Sequence, residues 1–157
     1  MSRMPVQIRW CVRSDLDAVL AIEHTSFASP WSEEDFVEVL RQRDQIGMVA
    51  EHQHDIVGFM LYRLRKTALE LLNFAVHPAF RHRGIGTQMV QRLQDKLSQQ
   101  RRKYVRAIVR ETNLPAQLFF HSCGFRALNV LREHYDDTDE DAYLMQYRLH
   151  EMANVER

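Results

Sequence analysis

Residues 70–87 read ELLNFAVHPAFRHRGIGT. The apolar run predicts a buried strand, the proline predicts a turn, and a basic loop with two close glycines opens into a helix. Backbone N–H groups at a helix start lack intrahelical partners, and the helix dipole places partial positive charge there. Gly84 and Gly86 would let a ligand approach the main chain, while Arg81 and Arg83 add positive charge. The stretch therefore predicts a site for a diphosphate.

Three phosphate-binding motifs place two glycines between a strand and a helix. A P-loop requires Gly-Lys-Ser/Thr, whereas Gly86 is followed directly by Thr87. A dinucleotide-binding fingerprint requires a third glycine or alanine at the position where Met89 stands. The segment RHRGIG, residues 81–86, fits the third pattern, Gln/Arg-x-x-Gly-x-Gly/Ala.

Composition restricts the class of protein. With 157 residues, 45% of them apolar and 27% charged, the chain is expected to form one domain over residues 1–150, followed by a tail at 151–157. The net charge is zero, whereas nucleic-acid-binding proteins are usually basic. No apolar run is long enough to span a membrane. Cys11 and Cys123 provide neither a disulfide framework nor metal-ligand spacing. We therefore expect a cytoplasmic protein without nucleic-acid or membrane partners.

Periodicity and capping signals predict the order β-α-α-β-β-β-α-β-α-β-β, a mixed-sheet α/β domain. The predicted strands cover residues 7–12, 46–51, 56–64, 69–76, 105–109, 125–135 and 142–149. Capping boxes at 14–17 and 32–35 begin two helices joined by an aromatic elbow of Phe27 and Trp31. The helix after residue 84 makes the flanking strands parallel if it is a crossover. Asn113 caps the last helix, and an acidic turn at 136–141 joins the last two strands.

Five motifs carry a resemblance to a known family. They are FASPWS at 27–32, LNFAVHP at 72–78, VRETN at 109–113, CGF at 123–125 and EDAYLM at 140–145. Together with the Gly84 loop they resemble the GNAT superfamily of acetyl-CoA-dependent N-acetyltransferases, and most of all its ribosomal-protein-alanine (RimI) and N-terminal acetyltransferase branch. The resemblance covers residues 7–149. It implies a mixed, mostly antiparallel twisted sheet of about seven strands with about four helices.

The resemblance implies acetyl-CoA as co-substrate, with no metal. Main-chain groups of residues 74–76 would pair with the pantetheine arm, and N–H groups of residues 82–87 would hold the pyrophosphate. The Asn113 side chain would contact the coenzyme, although helix capping explains this residue equally well. The implied coenzyme-binding residues are Phe74, Ala75, Val76, Arg81, His82, Arg83, Gly84, Ile85, Gly86, Thr87, Asn113 and Phe120.

The catalytic side chains of the RimI-like pattern are missing here. Where the pattern has a glutamate base and a tyrosine acid, this chain has Ile108 and Phe120. Glu70 occupies the position where the histone-acetyltransferase branch carries its base, and a solvent-exposed edge charge is the alternative reading. Tyr135 resembles a tyrosine that lines the peptide site and is also a candidate acid. A backbone N–H near Phe74 is the family's usual donor to the oxyanion.

Three functions remain open from the sequence. The first is acetylation of a protein N-terminal α-amine, with Phe27, Trp31 and Tyr135 contacting the acceptor. The second is acetylation of a small-molecule amine, which the acidic turn at 136–141 would attract. The third is a non-catalytic acyl-CoA-binding module, suggested by Ile108 and Phe120 at the two catalytic positions. A monomer and a homodimer are both compatible with the sequence.

Overall fold

The computed structural model describes residues 3–136 and 138–150, which form two compact units. Unit 1 contains the described residues up to 64 together with 71–92, and unit 2 contains 65–70 and the described residues from 93 onward. The predicted tail, 151–157, and Asp137 of the predicted acidic turn lie outside the described residues. A single domain over residues 1–150 stays a prediction.

Seven strands form one sheet in the order β1-β2-β3-β4-β5-β7-β6. The strands are β1 (Gln7–Trp10), β2 (Gln45–His52), β3 (Asp55–Leu64), β4 (Ala68–Val76), β5 (Tyr104–Arg110), β6 (Arg126–Leu131) and β7 (Ala142–Arg148). The helices are α1 (Leu16–Ser26), α2 (Glu33–Leu40), α3 (Ile85–Asp95) and α4 (Leu114–Ser122). The predicted α/β class, element order and mostly antiparallel sheet are confirmed. None of the helices in the described part of the chain is long and apolar enough to cross a membrane.

Unit 1 has its core between two helices and the sheet. Apolar residues at helical spacing on α1 and one aromatic residue of α2 pack against β2, β3 and β4. The buried cluster consists of Leu16, Val19, Ile22, Phe36, Val49, Phe59, Leu61 and Ala75. The Phe36 ring meets the Phe59 ring edge to face at 5.6 Å between centroids. The amphipathic stripe therefore fixes which face of each helix meets the sheet.

The start of α1 differs from the prediction. The capping box expected at 14–17 is wrong, because α1 begins without a side-chain cap after a short 3₁₀ turn at Arg13–Asp15. Asp15 instead accepts hydrogen bonds from the Val12 N–H at 2.8 Å and from both Nη atoms of Arg9 at 2.8 and 2.9 Å. The Arg9–Asp15 ion pair, which joins β1 to the start of α1, therefore forms in place of the predicted capping box.

The other two predicted caps are confirmed. In the box that begins α2, the Asp35 N–H donates to Ser32 Oγ at 3.2 Å and the Ser32 N–H donates to Asp35 Oδ2 at 2.9 Å. At the start of α4, Asn113 Oδ1 accepts from the Ala116 N–H at 3.1 Å. Both side chains satisfy backbone donors that the helix itself leaves open.

Unit 2 is built on the parallel pairing of β5 with residues 68–70 of β4, as the crossover prediction requires. Strand β7 pairs antiparallel with both β5 and β6. The strand predicted for 125–135 ends at Leu131, so Tyr135 lies in the connection that follows β6. Gly124 ends α4 with φ +90°, a left-handed conformation that glycine adopts without strain.

The Asp15 interaction predicts a pH-dependent stability. The hydrogen bonds from Arg9 lower the pKa of Asp15 most, and the hydrogen bond from the Val12 backbone lowers it further. Burial acts in the opposite direction, but the pKa stays below its usual value. Because this pKa is lower in the folded chain, the stabilisation is complete above about pH 4 and is lost as the pH falls through the folded-state value. We expect Asp15→Asn to lower the free energy of unfolding by about 2–3 kcal/mol at pH 7.

Urea titrations of both proteins at pH 7 and at pH 3 measure this difference. The control is Asp17→Asn, an exposed carboxylate in the first turn of the same helix, which should change stability by less than about 1 kcal/mol. An Asp15→Asn deficit that is the same size at both pH values would contradict the ion-pair explanation.

Candidate active site

The loop that joins β4 to α3 is sharply turned. After β4, a 3₁₀ turn at Pro78–Phe80 is closed by His77, whose Nδ1 accepts from the Ala79 N–H at 3.0 Å. His82 and Gly84 then adopt φ values of +64° and +77°. The left-handed conformation costs a non-glycine residue energy, so His82 must be held by its surroundings. The loop thus delivers the chain directly into the N-terminus of α3.

The N-terminal segment and Gln88 hold this loop in place. The Met4 N–H donates to the Arg83 carbonyl at 2.8 Å. Gln88 Nε2 donates to the carbonyls of Met4 at 2.7 Å and Gly84 at 3.1 Å, and Gln88 Oε1 accepts from the Val6 N–H at 3.3 Å. Sequence reasoning missed Gln88, because its partner in the N-terminal segment is more than eighty residues away.

Arg81 has a tethering role that its charge alone did not indicate. Its Nε donates to the Val76 carbonyl at 3.1 Å, and its Nη2 donates to Ser26 Oγ at 3.2 Å. The guanidinium therefore joins the end of β4 to the last residue of α1. Any contribution of Arg81 to anion binding would come from a side chain already held in this geometry.

Several of the other predicted coenzyme positions can offer a ligand little besides their main chain, whereas the His82 and Arg83 side chains are exposed. Ala75 and Ile85 are buried in the core, so their side chains are unavailable to a ligand and their main-chain groups are what they could offer. Gly86 and Thr87 stand in the first turn of α3, whose N–H groups lack intrahelical acceptors. The structure is consistent with a backbone-lined anion site.

A buried carboxylate beside the elbow was also missed. Glu23, 1% exposed, accepts from the Trp31 N–H through Oε2 and from Asn73 Nδ2 through Oε1, both at 2.8 Å. Phe27 is the C-cap residue that follows α1, and its N–H donates to the Glu23 carbonyl at 3.1 Å. Trp31 packs against Phe36, with 5.2 Å between ring centroids. The available signal was an acidic residue directly following Ile22 on the apolar stripe of α1.

In unit 2, Glu70 is ion-paired. Its side chain is 25% exposed, and Oε1 lies 3.6 Å from Arg65 Nη2. Arg106 is its register partner on β5 and donates from Nε to Gln146 Oε1 at 2.7 Å. A carboxylate that serves as a general base here would have to exchange its contact with Arg65 for one with the amine.

The two positions that carry the acid and the base in the family pattern are both apolar here, one exposed and one buried. Ile108 is 38% exposed on β5, on the face opposite the buried residues of that strand. Phe120 is 6% exposed and packs against Phe119 and Phe125, with centroid distances of 5.2 and 5.1 Å. Neither residue supplies a titratable group, and Phe120 belongs to the aromatic core of unit 2.

Tyr135 is positioned by Arg110. The guanidinium carbon of Arg110 lies 3.7 Å from the centre of the Tyr135 ring, within cation–π range. Arg110 Nη1 also lies 3.4 Å from Glu140 Oε1. A hydrogen bond from Thr112, at 2.6 Å, together with Thr138 and Arg110, lowers the pKa of Glu140 against the effect of desolvation. Arg110 therefore contacts both Tyr135 and Glu140.

The acidic turn is partly neutralised. Glu140 faces Arg110, and Asp141 Oδ2 lies 3.5 Å from Arg132 Nη1. The Asp141 Oδ1 atom also accepts from the Glu133 N–H at 2.9 Å. The exposed Asp136 and Asp139 retain the attraction for a cation that the sequence predicted for the whole turn.

The predicted site residues divide between the two units. Unit 1 holds Phe27, Trp31 and the coenzyme positions from Phe74 to Thr87. Unit 2 holds Glu70, Asn113, Phe120 and Tyr135. Among residues 3–136 and 138–150, no group of three or more His, Cys, Asp or Glu side chains is arranged to hold a metal ion.

Comparison with known proteins identifies the family. Residues 16–125 match the family model described as Acetyltransferase (GNAT) family. The chain belongs to the GNAT acetyltransferase family. An N-alpha-acetyltransferase from Sulfolobus acidocaldarius is 30% identical, over 88% of this chain and 90% of the relative. This GNAT protein is therefore an acetyl-CoA-dependent acyltransferase by family.

Two further relatives extend the comparison. The [ribosomal protein bS18]-alanine N-acetyltransferase of Escherichia coli is 28% identical over 84% of this chain and 90% of its own length. The crystal structure of the E. coli ribosomal-protein-S18-alanine N-acetyltransferase matches the fold with a TM-score of 0.82 over 96% and 98% of the two chains, at 24% identity. Arabidopsis thaliana NAA60, solved in complex with acetyl-CoA, matches with a TM-score of 0.81 over 92% and 100%, at 20% identity.

The left-handed conformation of Gly84 predicts a specific effect on coenzyme binding. A Cβ at this position would lie 3.1 Å from Arg3 Cγ, and φ +77° would be strained. We expect Gly84→Ala to shift the loop, at a cost of about 1–2 kcal/mol, and to raise the Kd for acetyl-CoA about tenfold. Isothermal titration calorimetry measures that affinity.

Gly124→Ala is the matched control for Gly84→Ala. Gly124 has φ +90°, and a Cβ there would lie 3.3 Å from Tyr147 Cδ1, so the backbone strain is similar. Gly124→Ala should lower the thermal unfolding temperature to a similar extent and leave the Kd of the folded protein within about twofold. Equal losses of affinity in the two variants would show that strain alone, wherever it lies, weakens coenzyme binding.

Proposed function

We propose that the protein transfers the acetyl group of acetyl-CoA to the α-amine at the N-terminus of another protein. The observation that carries the proposal is the similarity, over 88% of the chain, to an enzyme named N-alpha-acetyltransferase. The E. coli relative, named for an alanine of ribosomal protein bS18, points to the same kind of acceptor. The elbow of Phe27 and Trp31 and the Arg110-supported Tyr135 are the proposed acceptor contacts.

Acetyl-CoA would supply a thioester-activated acetyl group and a phosphorylated handle by which it can be held. Its pyrophosphate would be bound by the backbone of residues 82–87 and the basic side chains of Arg81 and Arg83. Helix-start N–H groups and nearby cations favour such an anion. Main-chain groups of 74–76 would hold the pantetheine arm. Asn113 and Phe120 complete the proposed coenzyme contacts, Phe120 with an apolar surface and no proton to donate.

The apolar residues at the family's catalytic positions favour an α-amine over a lysine. At pH 7 roughly a tenth of an α-amine with a pKa near 8 is already neutral, against about one lysine side chain in a few thousand. General-base catalysis contributes about 10²–10⁴-fold, so an enzyme with weak base assistance retains useful rates only for the easier acceptor. Ile108 at the base position therefore supports the α-amine proposal.

The acceptor class can be tested with a pair of matched peptides. One peptide has a free N-terminus and no lysine, and the other has a blocked N-terminus and one lysine. At pH 7 with saturating acetyl-CoA we expect kcat/KM to be roughly two orders of magnitude higher for the free N-terminus, in line with the neutral fractions of the two amines. Mass spectrometry of the products locates the acetyl group.

The alternatives give different results in the same assay. Faster turnover of a polyamine than of every N-terminal peptide would establish a small-molecule amine as the acceptor. Coenzyme binding measured by calorimetry, combined with no transfer to any amine in a diverse N-terminal peptide library, would establish a non-catalytic acyl-CoA-binding module.

Glu70 is the proposed general base, and Glu70→Gln tests this role. The substitution keeps the shape of the side chain and removes its ability to accept a proton. We expect kcat/KM for the free N-terminus to fall about 10²-fold or more while the Kd for acetyl-CoA stays within about twofold. The loss should shrink as the pH approaches the pKa of the α-amine, because fewer acceptors then need deprotonation.

Glu51→Gln is the control for this substitution. Glu51 also lies on a strand and is ion-paired, with Oε1 2.8 Å from Arg9 Nε, and its side-chain exposure of 21% is close to that of Glu70. It should keep the wild-type rate per folded molecule. A Glu70→Gln enzyme as active as the Glu51→Gln enzyme would remove Glu70 from the chemistry and leave proton removal to solvent.

A further inference from the structure

Glu23 is a buried carboxylate that accepts hydrogen bonds from two neutral donors. One donor is the backbone N–H of Trp31, and the other is Nδ2 of Asn73, which lies fifty residues away along the chain. With 1% of its surface exposed, the side chain is as buried as the apolar residues of the same helix. Burying a carboxylate is costly even with its hydrogen bonds made, and a leucine would suit the apolar stripe of α1.

The hydrogen bonds around Glu23 form a relay with one direction. The Trp31 N–H donates to Glu23 Oε2, Asn73 Nδ2 donates to Glu23 Oε1, and the Phe74 N–H donates to Asn73 Oδ1. All three donor–acceptor distances are 2.8 Å. A carboxylate can only accept, so it forces the NH₂ of Asn73 toward itself and leaves the amide oxygen facing Phe74. The orientation of one amide thereby sets the partner of a backbone N–H on β4.

We propose that Glu23 is a positioning residue for acetyl transfer. Through Asn73 it holds the backbone of Phe74 on the strand assigned to the acetyl donor, and through Trp31 it holds the elbow assigned to the acceptor. The inference rests on the proposed function, which makes those two assignments. One side chain outside the reacting groups then controls both halves of the reaction geometry within unit 1.

This role predicts which kinetic constant changes. The proposed function assigns the charged pyrophosphate to the loop at residues 82–87, and none of the three hydrogen bonds of the relay involves a residue of that loop. Misplacing the donor strand lowers the rate of the transfer step, and a misplacement of the reacting groups by about 1 Å costs about 10²-fold. Disruption of the relay should therefore lower kcat and leave the Kd for acetyl-CoA nearly unchanged.

Two single substitutions reverse the hydrogen-bond direction at one point each. Glu23→Gln places an NH₂ group against either the NH₂ of Asn73 or the N–H of Trp31. Asn73→Asp places two carboxylates against each other where the present distance is 2.8 Å. We expect each variant to lower kcat per folded molecule about 10²-fold, with the Kd for acetyl-CoA within about threefold of wild type.

The double variant Glu23→Gln/Asn73→Asp should restore the relay in the opposite direction. The introduced amide keeps its oxygen for the Trp31 N–H and donates its NH₂ to the introduced carboxylate, whose second oxygen accepts from the Phe74 N–H. Formal charge and atom count match the wild type closely. We expect kcat to recover to within about fivefold of wild type, a strong non-additivity that only directly coupled residues show.

Rates are measured per folded molecule, with the folded fraction determined by circular dichroism at the assay temperature. Asp17→Asn, on the exposed face of α1, removes the same charge from the same helix and should leave kcat unchanged. If a single variant folds too poorly to assay, Asn73→Ala replaces it, since this change removes the acceptor of the Phe74 N–H without creating a like-charge contact. Its kcat should also fall at least about tenfold.

Two results would overturn the inference. One is a folded Glu23→Gln or Asn73→Ala enzyme with wild-type kcat and only a lower unfolding temperature, which would make the relay purely structural. The other is a double variant no faster than the slower single variant. Each result is expressed relative to wild-type turnover, and that turnover is what tests the proposed function.

Discussion

The end of β4 is governed by the requirement that buried backbone groups find hydrogen-bond partners. Where the strand gives way to the loop, side chains supply several of those partners. Asn73 accepts from the N–H of Phe74, Arg81 donates to the carbonyl of Val76, and His77 accepts from the N–H of Ala79. Gln88 Nε2 donates to the carbonyl of Gly84. These contacts hold the stretch in the geometry from which the proposed coenzyme grip is built.

In unit 2, the Arg110 side chain organises the residues around it. Its guanidinium stacks on Tyr135 and pairs with Glu140, so one cation orders an aromatic residue and neutralises part of the acidic turn. Ile108, two residues earlier on β5, leaves the corresponding catalytic position aliphatic. The proposed chemistry therefore relies on an easily deprotonated acceptor and on positioning, with Glu70 as the one carboxylate assigned to proton removal.

Local signals predicted elements well where no distant residue competes for the same groups. The Ser32 box and the Asn113 cap form as expected because each bond joins residues three apart. The box expected at 14–17 fails because Asp15 accepts two charge-assisted hydrogen bonds from Arg9, at 2.8 and 2.9 Å, which outweigh the cost of desolvation. Likewise, the strand predicted to run through Tyr135 ends at Leu131, and the Tyr135 ring, beyond the strand, contacts the Arg110 guanidinium.

Periodicity and capping signals along the chain predicted the order of strands and helices, and residues 81–86 predicted a basic glycine loop, because these signals are local. The family and its sheet were implied by the resemblance of six sequence motifs, and the match of residues 16–125 shows the family. The fold alone established which side chains reinforce the loop and the elbow. Glu23 meets Asn73 across fifty residues, and Gln88 meets Met4 across eighty-four. Such contacts depend on how the chain packs. Spacing along the sequence does not predict which donor will face which acceptor once the core has formed.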